Sequence, residues 1–105
     1  MLDKILSKLR FKATENLKRG VGTVYCSDDF KVGNVFVSFM RLAPGVSIGK
    51  HLHDDNEEVY IVLRGGMATI NGRKLKMDIC RIGEAHDCVN ETDEEIILLS
   101  IKIFN

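Results

Sequence analysis

Apolar residues in this chain occur in short runs or in alternation with polar ones, and Gly, Pro or Asn-Gly separates the runs. Short apolar runs are typical of β-strands that are buried on both faces, and alternation is typical of β-strands that are buried on one face. About eight short strands are predicted, and the clearest span residues 21–26, 35–42, 59–63, 67–70, 73–75, 86–90 and 95–104. With no helix between them, they favour an all-β barrel or sandwich, and the pattern alone does not choose between the two.

One dipeptide predicts a specific hairpin. Asn71-Gly72 lies between the predicted strands 67–70 and 73–75. Asn and Gly both tolerate positive φ, which the two central positions of a tight hairpin turn require. The sequence therefore predicts that these two strands pair.

The N-terminus has a helical pattern instead. Its apolar residues at i, i+3, i+4 and i+7 are Leu2, Ile5, Leu6 and Leu9. They predict one stripe of a short helix over residues 1–10. Because six basic and two acidic residues fall within residues 1–20, this helix is either a membrane-surface anchor or, as we favour, packed on a sheet face or a neighbouring subunit. We divide the chain into a helical segment, 1–20, and a barrel, 21–105.

Composition limits the class of protein. A chain of 105 residues is long enough for one domain and one core. Its 15 basic and 15 acidic residues balance, so nothing in the charge indicates a nucleic-acid partner. Three cysteines at wide spacings do not predict a disulfide framework, and no apolar stretch is long enough to span a membrane. We therefore expect a cytoplasmic protein.

Two histidines and a glutamate predict a metal site. His51 and His53 are two residues apart, so in an extended chain both imidazoles leave the same face. After a predicted turn over residues 54–57, Glu58 opens an apolar strand, and a hairpin would bring it back beside the histidines. Imidazole nitrogen and carboxylate oxygen suit divalent iron, manganese, nickel, copper and zinc.

The spacing of these residues resembles the first motif of the cupin family. The motif positions are Gly45, His51, His53, Glu58 and Gly65. The resemblance covers residues 37–103 and implies a double-stranded β-helix, or jelly-roll barrel, with a divalent metal inside.

The second cupin motif is expected downstream and supplies another histidine. His86 matches this histidine, with Gly83 three residues before it and Asn90 four residues after it, as in the family motif. Arg81 stands where a proline is usual and Leu75 where a glycine is usual, which puts the turn before His86 in doubt. The resemblance thus implies the ligand set His51, His53, Glu58 and His86.

Strand alternation predicts the wall of the substrate pocket. Tyr60 and Val62 follow Glu58 inward, and Cys88 and Asn90 follow His86. All four are candidate substrate-binding residues. Tyr60 is also the candidate catalytic residue, as a proton donor, or else a barrel-filling aromatic. Cys88 is either redox-active or a small buried hydrophobe.

The ligand set leaves the reaction open. Three nitrogens and one oxygen leave two neighbouring positions on an octahedral ion, which water, dioxygen or a bidentate substrate can take. The first hypothesis is an enzyme of the oxygenase, decarboxylase, lyase or isomerase type acting on a small polar molecule. The alternative is a non-catalytic cupin that binds or senses a small ligand.

The outward face of the ligand-bearing strand predicts a homodimer. If Glu58 faces inward, Val59, Ile61 and Leu63 face outward. A ten-residue helix, about 15 Å long, covers only part of such a surface. An exposed apolar patch of several hundred Å² is typical of association.

Overall fold

The computed structural model describes all 105 residues and contains eleven strands, one short α-helix and one 3₁₀ turn. In chain order the elements are α1 (Leu2–Leu6), β1 (Phe11–Glu15), the 3₁₀ turn (Leu17–Arg19), β2 (Thr23–Ser27), β3 (Phe30–Val32), β4 (Val35–Leu42), β5 (Ser47–Leu52), β6 (Asn56–Arg64), β7 (Ala68–Ile70), β8 (Arg73–Leu75), β9 (Met77–Cys80), β10 (Ala85–Val89) and β11 (Ile96–Phe104). None of its helices has the length and apolar character needed to cross a bilayer.

The strands form two antiparallel sheets that face each other. Seven strands make the larger sheet, in the order β1-β2-β4-β11-β6-β9 with β3 paired to β4. The smaller sheet has the order β5-β10-β7-β8. The strand pattern predicts an all-β barrel or sandwich, and the resemblance to cupins predicts the barrel that the two sheets form.

The space between the sheets is apolar at one end and polar at the other. Five aliphatic side chains of the core are at most 1% exposed: Leu42, Ile48, Ile70, Ile96 and Leu98. Burial of each stabilises the fold by about 1.5–3 kcal/mol. Farther along the same inner face, β11 presents Ser100 and Lys102 opposite Tyr60 and Glu58 of β6. The polar end of the barrel therefore contains the predicted site.

The predicted hairpin at Asn71-Gly72 is confirmed. β7 and β8 pair antiparallel across it, with Ile70 opposite Arg73. Asn71 has φ 50° and Gly72 has φ 78°, so both turn positions are left-handed, as the dipeptide predicts.

The N-terminal segment differs from the predicted helix over residues 1–10. α1 ends at Leu6, and residues 11–15 form a strand that pairs with β2, from Phe11 opposite Ser27 to Glu15 opposite Thr23. Backbone hydrogen bonding to a sheet edge replaces a helical turn that has little stability alone. Two further strands, β3 and β9, were not predicted, because each is short and has exposed apolar residues rather than a clear alternation.

The predicted hairpin between the histidines and Glu58 is wrong. β5 belongs to the smaller sheet and β6 to the larger one, so the chain crosses between sheets at residues 53–55. Backbone hydrogen bonds fix the crossing: the His53 N–H donates to the Glu84 carbonyl at 3.0 Å, and the Gly83 N–H donates to the His53 carbonyl at 2.7 Å. The two sides of the site consequently come from facing sheets.

Candidate metal centre

Four side chains from the two sheets converge at the polar end of the barrel. His86 on β10 lies directly opposite His51 on β5 in the strand register. His53 follows the end of β5, and Glu58 enters from β6, where the alternation turns it inward and leaves Glu57 outside. One ligand atom from each of these four residues lies within 4.8 Å of the others.

The separations of these atoms match ligands of one ion. Bonds from a metal to imidazole nitrogen or carboxylate oxygen are about 2.1 Å long, so ligands at right angles lie about 3.0 Å apart. His86 Nε2 is 3.0 Å from His53 Nε2, 3.2 Å from His51 Nε2 and 3.1 Å from Glu58 Oε1. His53 Nε2 is 3.1 Å from Glu58 Oε1, and His51 Nε2 is 3.9 Å from it, a wider angle.

The outer ring nitrogens determine which tautomer each histidine adopts. His51 Nδ1 lies 2.7 Å from the Gly49 carbonyl oxygen, His53 Nδ1 lies 2.8 Å from Asn56 Oδ1, and His86 Nδ1 lies 3.3 Å from Asp78 Oδ2. All three partners are acceptors, so each Nδ1 carries the hydrogen and donates it. Each Nε2 then turns a lone pair toward the centre.

Asn56 is itself oriented by a further contact. Its Nδ2 donates to Asp55 Oδ1 at 2.7 Å, which leaves Oδ1 facing His53. Three lone pairs and a carboxylate therefore converge on one point, an arrangement that a cation stabilises and that fits a divalent metal.

Glu58 is held as a carboxylate. It is only 2% exposed, and Ser100 Oγ donates to its Oε2 at 2.5 Å, which leaves Oε1 for the centre. Burial raises the pKa of this carboxyl, but donation from the Nε2 atoms of His51 and His86 when these rings are protonated, together with the Ser100 hydroxyl, outweighs burial and holds the pKa well below its usual range. Burial also lowers the pKa of His53, which favours the neutral imidazole that a metal requires.

Tyr60 is packed against the centre. Its ring stacks on that of His86, with centroids 4.6 Å apart and planes 10° apart. Burial, followed by the charge of Glu58, raises the pKa of the phenol well above its usual value. Tyr60 is therefore a neutral hydroxyl that can donate a hydrogen bond.

A cavity of about 240 Å³ opens onto the centre. It is lined by Leu17, Lys18, Cys26, Ser27, Asp29, Ser38, Met40, Ile48, His51, Glu58, Tyr60, Ser100 and Lys102. Sites for drug-sized ligands measure roughly 300–1,000 Å³, so this cavity suits a smaller molecule.

Among the four predicted wall residues, Tyr60 lines this cavity, and Val62, Cys88 and Asn90 lie outside its lining. Val62 and Cys88 pack in the apolar core. Burial, followed by the charge of Asp87, raises the pKa of the Cys88 thiol to about 12, so it is not a reactive thiolate. Val62 and Cys88 lie in the core and not on the cavity wall because of their position along the barrel. Side chains on one inward face pack in the core at one end and line the cavity at the other.

Asn90 has a structural role. Its amide nitrogen donates to the carbonyls of Leu42 and Glu94, at 2.8 Å and 2.7 Å. Its Oδ1 accepts from the backbone N–H of Thr92 and from the Thr92 hydroxyl. Every polar atom of the amide is used to close the loop before β11, and none remains for a ligand.

Sequence reasoning missed three residues that hydrogen-bond to the ligand side chains and one that lines the cavity. They are Asn56, Asp78, Ser100 and Lys102. Ser100 and Lys102 are polar side chains in the otherwise aliphatic β11, and their shared parity was a signal that the sequence did contain. Asn56 was assigned to a turn, and Asp78 lies on a strand that was not predicted.

Comparisons with known proteins agree with this geometry. No family model matches the chain. An "Oxalate-binding protein" of Thermotoga maritima is 33% identical over 70 residues, which are 61% of this chain and 58% of that protein. The chain thus matches less than two thirds of the length of this curated relative.

Two solved structures show the same fold over most of the chain. One is a predicted oxalate decarboxylase from Thermotoga maritima, with TM-score 0.80, 25% identity and coverage of 94% of this chain and 96% of the other. The second is a Cupin 2 conserved barrel domain protein from Salinispora arenicola, with TM-score 0.66, 20% identity and coverage of 90% and 81%. The chain accordingly has the cupin fold, and the predicted double-stranded β-helix is confirmed.

A narrower statement follows from the donor set. The group of three histidines and one glutamate suits a divalent metal ion and supports a metal-binding cupin.

Proposed function

We propose that this cupin holds a divalent metal ion through His51, His53, Glu58 and His86 and binds a small carboxylate at that ion. The observation that carries the proposal is the convergence of three imidazole lone pairs and one ionised carboxylate at separations that suit one ion. When bound, the ion supplies a Lewis-acid site for carboxylate oxygen.

The chain's own residues give the site its selectivity. Ser100 and the three acceptors behind the histidines fix the direction of each ligand atom. The cavity volume of about 240 Å³ limits the ligand to a small molecule. Oxalate is the simplest candidate, because its two carboxylates offer adjacent oxygen atoms to neighbouring positions on one ion.

The relatives support this ligand class. The curated relative is described as an oxalate-binding protein and the solved structure as a predicted oxalate decarboxylase. Because the chain matches 58% of the curated relative, oxalate enters here as a proposal for this chain.

Binding is the first function, and decarboxylation is the second. Decarboxylation needs a group that delivers a proton to the carbon that loses carbon dioxide. One observation favours decarboxylation: Tyr60, a neutral phenol, lies on the cavity wall and stacks on His86.

The test begins with metal content. Protein purified without added metal should contain about one divalent ion per chain by elemental analysis, and His86→Ala should lose it. Glu57→Ala, which changes the adjacent carboxylate outside the barrel, is the matched control and should keep the metal. Calorimetry should then detect oxalate binding to the metal-loaded protein alone. Production of formate and carbon dioxide from oxalate would assign decarboxylation. Binding of oxalate without turnover would assign the binding function. Full metal content in His86→Ala would contradict the proposal.

We also infer that two copies of the chain pair through the outer face of the larger sheet. Val59 lies opposite Ile101 and Ile79 there, and Ile61 lies opposite Leu99 and Met77, so aliphatic residues run across three strands. Met77 is 56% exposed and Ile79 is 46% exposed in the single chain. α1 is five residues long, which is too short to cover this face. A second copy would bury the remainder, at about 25 cal/mol per Å² of apolar surface.

A further inference from the structure

Lys102 lies on the wall of the cavity without a carboxylate partner. It stands directly opposite Glu58 in the register of β11 and β6, and its side chain is half-buried. Nevertheless no ion pair within 4.0 Å forms between them, because the Glu58 carboxylate is held by Ser100 and by the histidines. An ammonium group in this position lacks a counter-charge that a bound anion would supply.

Lys18, an exposed residue of a strained loop, also lines this cavity. Lys18 and Arg19 have φ of 53° and 63°, a left-handed conformation that Gly and Asn tolerate but that is unfavourable for long side chains. Close backbone packing holds the loop in place, since a Cβ on Gly49 would lie 2.0 Å from the Lys18 carbonyl oxygen. Gly49 belongs to β5, the strand that carries His51. The strained loop and the metal-ligand strand are therefore in direct contact.

The charges around the cavity favour a dianion. Asp29 is the carboxylate at its rim, and it forms no ion pair within 4.0 Å with Lys18 or Lys102. A divalent ion and the lining residues Lys18 and Lys102 together carry four positive charges, and the carboxylates of Glu58 and Asp29 carry two negative charges, which leaves two positive charges. A singly charged ligand would neutralise only half of this excess.

We propose that Lys102 and Lys18 form an anion subsite at the cavity mouth, which binds the second acidic group of a ligand whose first acidic group lies at the metal. This inference rests on the proposed function and specifies the substrate class. The best ligands are short 2-oxo or 2-hydroxy diacids, which offer two adjacent oxygen atoms to the ion and a carboxylate at the far end. Oxalate would occupy the metal without using the subsite.

Matched ligand pairs test the subsite on the metal-loaded protein. Calorimetry compares 2-oxoglutarate with 2-oxopentanoate, in which a methyl group replaces the distal carboxylate, and malate with 2-hydroxybutyrate. At least one diacid should bind about tenfold more tightly than its partner, as expected of a charge-assisted hydrogen bond. Lys102→Met should remove most of this preference and Lys18→Met part of it. Lys74→Met, an exposed lysine on β8, is the control and should retain it.

The outcomes separate this inference from the proposed function. Equal affinities within both pairs, with oxalate still bound, overturn the subsite alone. Failure of oxalate and of every 2-oxo acid to bind overturns the proposed function as well. A preference that survives both lysine substitutions also overturns the subsite. If Lys102→Met misfolds, Lys102→Gln and the comparison of ligand pairs on the unsubstituted protein decide the question.

Discussion

The contacts behind the histidines should control metal affinity. Asp78 accepts from His86 Nδ1 at 3.3 Å, and Asn56 accepts from His53 Nδ1 at 2.8 Å. Removal of such a partner frees the imidazole to rotate or to adopt the other tautomer, and typically weakens metal binding by about 10–100-fold. Each tenfold loss corresponds to about 1.4 kcal/mol.

The structure ranks the two substitutions. The Asp78 contact is longer and its side chain is 20% exposed, so water can replace the carboxylate in Asp78→Ala. We therefore expect Asp78→Ala to lower the metal affinity by roughly tenfold, at the lower end of that range. Asn56 is buried, so Asn56→Ala leaves a buried N–H without an acceptor and should approach the upper end, roughly 100-fold.

Competition with a chromogenic chelator measures these affinities, and circular dichroism verifies that each variant is folded. Asp78→Asn retains an acceptor oxygen and should recover part of the loss. Nitrogen-15 spectra of the histidines provide an independent measurement, since hydrogen on Nδ1 is expected at all three rings. Affinities of both alanine variants equal to that of Glu57→Ala would refute the reasoning.

Three further outcomes are expected. Acid should release the metal and lower the free energy of unfolding together. Folding lowers the pKa of His53 from 6.5 and that of Glu58 from 4.5, so the unfolded chain binds protons more readily than the folded chain. The stability that each group contributes above its unfolded pKa is therefore lost as the pH falls below that value. Metal content that stays constant down to about pH 4.5 would contradict histidine ligation. Val59→Lys should separate the proposed dimer while metal content is unchanged, and light scattering that finds an 11.8 kDa monomer for the unsubstituted protein would exclude the dimer. Leu98→Ala should lower the free energy of unfolding by about 2–5 kcal/mol in urea titration, because Leu98 is fully buried between the sheets, and a change below about 1 kcal/mol would contradict that packing.

Local patterns predicted much of this protein. The strand over residues 35–42 has the bounds of β4, and Asn71-Gly72 forms the expected left-handed turn. Period-two alternation puts Glu58 and Tyr60 on one face of their strand and Glu57 on the other, and the burial pattern of β6 agrees. The motif spacing likewise indicated the four residues that the fold brings together.

Only the tertiary structure decided how those residues meet. Strand alternation states that a side chain faces inward, but it does not state which sheet its strand joins or how far along the barrel it lies. β5 and β6 therefore belong to facing sheets although the turn between them suggested a hairpin, and Cys88 shares an inward face with His86 but contributes to the core. The same limit applies to Asp78, Ser100 and Lys102, which are distant from the histidines in sequence. Their roles arise from pairings between strands, and the sum of many weak contacts across the whole barrel determines those pairings.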